Sequence, residues 1–95
     1  MKVNICGILH EIQEVVDPFD GLTNGQIIYG ECKIQINAKL PVQMRNEALC
    51  HEMLHGILMH LGYNNLTEDE HFVQCVGNAI YQSFIPIVTD DTQEE

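Results

Sequence analysis

The period of the apolar positions changes along this chain, and each change marks an element. Val3 and Ile5, then Ile8, Ile12, Val15 and Val16, give β-type composition on either side of Gly7. The pattern predicts one strand bent at Gly7, or two short ones. Asp17-Pro18-Phe19-Asp20-Gly21 is turn chemistry, and Asn24-Gly25 is a second turn signal. Ile27–Asn37 then suggests one or two strands, with Gly30 as the break. Ile34 and Ile36 alternate with Lys33 and Gln35, as a half-buried strand requires.

From Pro41 the period becomes helical. Proline suits the first position of a helix, and the pattern runs to about Leu61, a length of roughly 30 Å. Leu49, Met53, Leu54, Ile57 and Leu61 leave little polar circumference, so this helix is expected to be the buried centre of the fold. Gly62 ends it. A second helix is predicted from Thr67, with Thr67-x-x-Glu70 as a capping box, to about Phe84, where Pro86 prevents continuation. Phe72, Val76, Ala79, Ile80 and Phe84 are its expected buried stripe. The short connector makes the helices antiparallel. The expected fold is α+β: a small N-terminal antiparallel or mixed sheet of about three strands, packed on two antiparallel helices. It forms a single domain over 1–86, followed by an acidic, disordered tail at 87–95.

Size and charge narrow the function. Ninety-five residues make one domain with a modest core. Four basic against fourteen acidic residues give a net charge of -10, which argues against nucleic acid and anionic membranes as partners. Asp90, Asp91, Glu94 and Glu95 lie in the tail, so the body is less acidic than the total. With no signal-peptide-like or membrane-spanning run, the chain is expected in the cytoplasm. Cys6, Cys32, Cys50 and Cys75 form no Cys-x-x-Cys pair and are expected to be small core residues in a reducing compartment.

The candidate chemistry lies in the central helix, at Cys50-His51-Glu52-Met53-Leu54-His55-Gly56. Residues four apart share a helix face, so His51 and His55 can offer two imidazoles to one ion. Glu52 is rotated by about 100° and flanks that ion without having to ligate it. A buried helix face cannot leave two imidazoles unpartnered, and Zn2+ would satisfy both. A nearby carboxylate that can take a proton from water completes the requirements of a zinc peptidase. For the third ligand Glu70 is preferred, fifteen residues after His55, with the open fourth position of a catalytic site. His71 is the chief alternative, about 100° round the helix, followed by Glu68, Asp69 or a water. His60 points away on a continuous helix. A metzincin needs Gly and His three and six residues after the second motif histidine; Leu58 and Leu61 occupy those positions.

A strand-rich start, a His-Glu-x-x-His helix, a short turn and a helix opening on Glu70-His71-Phe72-Val73 resemble the minimal zincin-type metallopeptidases of the ImmA/IrrE family, in particular small phage or prophage relatives. The resemblance covers about residues 27–84. It implies zinc held by His51, His55 and Glu70, with Val73 where a small or apolar residue follows the glutamate ligand. It also implies intracellular endopeptidase activity with Glu52 as general base, on a protein or peptide substrate such as a DNA-binding repressor. Tyr63, Tyr81, His60 and His71 are candidate oxyanion donors. The chain is shorter than the larger members of that family. A zinc-binding interaction module without turnover and an acidic decoy of a DNA-binding protein are the rival functions.

Overall fold

Cys6 and Gly7 both take left-handed backbone angles, φ 52° and 88°, which makes them a two-residue hairpin turn between β1 (Lys2–Ile5) and β2 (Ile8–Val15). Asn4 Oδ1 accepts from the Gly7 N–H at 2.7 Å and fixes the corner. The bend expected at Gly7 is thus a true hairpin. The computed structural model describes residues 1–16 and 24–90. The turn expected at Asp17–Gly21, and the acidic end from Asp91, lie outside the described residues.

Beyond β2 the elements are β3 (Gly25–Ile28), a single 3-10 turn at Tyr29–Glu31, and β4 (Lys33–Asn37). Three helices follow, α1 (Val42–Leu61), α2 (Asn64–Thr67) and α3 (Glu70–Ser83), and then β5 (Val88–Thr89). The protein is α+β, with a mixed sheet in the order β3-β4-β2-β1-β5. Among the described strands only β2 and β4 run parallel; the other pairs are antiparallel. The sheet has five strands among the described residues, rather than about three. Part of the excess is β5, which pairs two residues with β1 inside the stretch expected to be tail. Two residues carry no period, so only their return to the sheet edge reveals them.

The central-helix expectation holds for the middle of α1, from Ala48 to Leu58, whereas Leu61, expected to be buried, is exposed, as are Val42, Met44 and Met59. One side of α1 packs Ala48 and Leu49 against Val3, Ile5, Ile12, Ile34 and Ile36 of the sheet. The other side packs Leu54 and Leu58 against Val73 of α3, with Phe72, Val76 and Ile80 around them. Full burial of each large aliphatic side chain contributes about 1.5–3 kcal/mol, so α1 is held from both sides.

Three expectations about α3 and the cysteines need correction. The helix starts at Glu70, not Thr67, and its cap is Asp69, whose side chain accepts from Phe72 N at 3.1 Å. Thr67 instead closes the separate turn α2. Ala79 is exposed, and Phe84 is 68 % exposed, because α3 meets α1 along a narrow seam and the backbone is extended at Phe84. Of the cysteines only Cys50 is buried; Cys6 occupies the hairpin turn and Cys75 an exposed helix face. No helix among the described residues is long and apolar enough to cross a membrane.

α3 approaches α1 closely at Gly77. A Cβ there would meet His51 Cα at 3.3 Å, so the helices touch backbone to backbone beside the first motif histidine. Gly77→Ala is expected to press the seam open by a few tenths of an ångström. Overpacking of about 1–3 kcal/mol, offset by the roughly 1 kcal/mol that Ala gains over Gly inside a helix, leaves a net loss of up to about 2 kcal/mol, measurable by urea unfolding.

Candidate metal centre

The His-Glu-x-x-His segment occupies the middle of α1, where both imidazoles face a cleft of about 970 Å³ between the helices and β3. The ring centroids of His51 and His55 are 5.0 Å apart. Because α2 reverses the chain, the first residue of α3 arrives opposite them. Glu70 Oε2 lies 3.2 Å from His51 Nε2, and Glu70 Oε1 lies 3.0 Å from His55 Nε2. Ligand atoms of the three residues all lie within 4.8 Å of one another, the one such grouping among the described residues.

The protons around His55 test whether this set suits a metal. Thr67 Oγ1 lies 2.9 Å from His55 Nδ1 and donates its own proton to the His55 carbonyl at 3.4 Å. The hydroxyl therefore accepts from Nδ1–H, which leaves Nε2 of a neutral ring with a lone pair. Burial keeps the His55 pKa below its ordinary value, against the opposing pull of Glu70, and so favours the neutral ring. That lone pair faces a carboxylate oxygen at 3.0 Å. Two acceptors at that distance repel, and a cation between them removes the conflict. Tetrahedral zinc with nitrogen and oxygen ligands sets donors about 3.4 Å apart, so the two Glu70–histidine spacings need only a small expansion, and the wider separations in the group, within 4.8 Å, a contraction. The residues fit the ion.

Glu52 points its chemistry into the same cleft but stands outside the ligand group. It is only 7 % exposed, and burial, reinforced by the charge of Glu70, pushes its carboxyl up to about 7. The other acidic candidates separate from the centre. Asp69 is committed to the helix cap, and Glu68 lines the cleft without joining the group. His71 lies beside Cys75 instead, Nε2 to Sγ 3.7 Å. None of Tyr63, Tyr81, His60 and His71 lines the cleft; His60 borders a separate cavity of about 150 Å³. The tyrosine that does line it is Tyr29, whose hydroxyl is 3.5 Å from Thr67 Oγ1.

No protein-family profile, curated protein or solved structure matches this chain.

Thr67 and Tyr29 are the site residues that pattern reading missed. Thr67 carried a signal, a threonine three residues before the glutamate, but that signal pointed to a cap. A partner that fixes the tautomer of a ligating histidine typically changes metal affinity by about 10–100-fold. Thr67→Val is therefore expected to weaken zinc at this centre by about that factor, read by competition against a chelator of known affinity.

Proposed function

We propose that this chain is a zinc-dependent endopeptidase domain with zincin-type packing, similar to the small members of the ImmA/IrrE family. The observation that supports it most is the facing of His51 Nε2 and His55 Nε2 to the Glu70 carboxylate at 3.2 and 3.0 Å. These three residues would hold the zinc. When bound, zinc supplies Lewis acidity towards a peptide carbonyl and brings the pKa of a water towards neutrality. Glu52 takes the proton from the attacking water and returns it to the leaving amine. Thr67 keeps His55 in the tautomer that presents Nε2.

The strand β3 orients the substrate in this reading. It is the outer strand on the cleft side of the sheet, and Gly25 and Ile27 line the cleft. Asn24 O accepts from Asn37 N, and with that phase Gly25 and Ile27 turn their N–H and C=O away from β4. An extended segment can add to that edge, unpaired among the described residues, as a further strand. Glu47 and Glu68 border the cleft, and no Lys or Arg is among its described lining residues. A basic segment of an intracellular regulatory protein, such as a repressor, is the substrate class this favours.

The test is incubation of zinc-loaded protein with unstructured Lys- and Arg-rich peptides, with products read by mass spectrometry. Cleavage that stops with chelator supports the reading. Intact peptides after incubation with fully zinc-loaded protein would leave a zinc-binding module without turnover.

A further inference from the structure

His71 and Cys75 stand one turn apart on the exposed face of α3, outside the centre described above. Their Nε2 and Sγ atoms are 3.7 Å apart. Tetrahedral zinc, with Zn–N of about 2.0–2.1 Å and Zn–S of about 2.3 Å, sets nitrogen and sulfur about 3.6 Å apart. The pair already has the spacing of two corners of such a site, held by the i, i+4 geometry of one helix. No third His, Cys, Asp or Glu among the described residues joins it, and both side chains are exposed. The other two corners are therefore open to the outside of the molecule.

The surroundings indicate what can fill them. Between Glu70 and Asp90 the sequence has no Asp, Glu, Lys or Arg. A chain of net charge -10 repels its own copies, and this stretch adds no charge of its own to that repulsion, the exposed acids nearest His71 in sequence being Glu68, Asp69 and Glu70 just before it. It ends in Phe84, Ile85 and Ile87, which are 68, 91 and 84 % exposed. A second copy related by a twofold axis presents the same patch, with the same two donors.

We propose that His71 and Cys75 are half of a structural zinc site completed by the same residues of a second copy, giving a Cys2His2 zinc-bridged dimer through α3. As each Zn–S bond forms, the thiol releases its proton to solvent, and no electrons change hands. The site is independent of the catalytic reading.

The test is sedimentation of the reduced chain with zinc in about tenfold excess, together with zinc counted by mass spectrometry. The expected result is a dimer with about three zinc ions per two chains, returning to monomer with chelator. Cys75→Ser and His71→Ala should each be monomeric with about one zinc per chain and an unchanged circular dichroism spectrum. Cobalt in place of zinc should show a thiolate-to-cobalt charge-transfer band that Cys75→Ser lacks. In a His51→Ala/His55→Ala chain the dimer should persist with about one zinc per two chains, which separates this site from the first. A monomer at every zinc concentration, or a dimer that survives in Cys75→Ser, would overturn the proposal.

Discussion

Glu52→Gln is expected to lower peptide hydrolysis by about 10²–10⁴-fold, the usual contribution of a positioned general base, while leaving the zinc content of the protein unchanged. The amide is close in size to the carboxyl and adds no ligand to the His51–His55–Glu70 group, but it cannot carry the proton. The same substitution has a second readout in zinc-stripped protein. The Glu52 carboxyl titrates at about 7 when folded against an ordinary 4.5, so the folded state binds the extra proton between those values. Stability therefore falls as pH rises from about 4.5 to 7, by about 3 kcal/mol in total, and then levels. His55 acts in the opposite direction: its folded pKa lies below 6.5, so stability is lost as pH falls through the window beneath that value. Thermal melts of the stripped protein across pH 4.5–8 should show the Glu52 contribution as a difference between wild type and Glu52→Gln. The variant is the more stable at the alkaline end. Equal hydrolysis rates for the two proteins would remove Glu52 from the mechanism.

Stripping zinc is the second large effect. An ion that binds only the folded chain stabilises it by about 4 kcal/mol at a free concentration of 1,000 times its Kd. In a domain of this size each kcal/mol moves the melting temperature by about 4–8 °C, so a fall of about 15–30 °C is expected on chelation. Measured in Cys75→Ser, the fall reports the α1–α3 centre alone. His55→Ala in that background should hold little zinc and show almost no further change with chelator. It loses a nitrogen donor and leaves Glu70 facing only His51. A melting temperature indifferent to zinc in the parent would mean that the three side chains meet without holding an ion.

Local chemistry determined a good part of this molecule. The apolar circumference of 48–58 dictates a buried helix centre, and the four-residue spacing of His51 and His55 puts both imidazoles on one of its faces. The alternation at Ile34 and Ile36 is likewise readable, because a half-buried strand has a period of two. Such features depend on residues close together in the chain. Glu70 was only the preferred candidate among several acids and His71, because its position opposite the histidines depends on how α2 reverses the chain. The role of Thr67 lay wholly beyond pattern reading. A threonine three residues before a glutamate predicts a cap, yet Asp69 caps α3 and leaves the Thr67 hydroxyl free for His55 Nδ1. Tyr29, β5 and the exposure of Phe84 belong to the same class. Each is decided by which distant surface the segment meets, and contact across the fold leaves no period in the sequence.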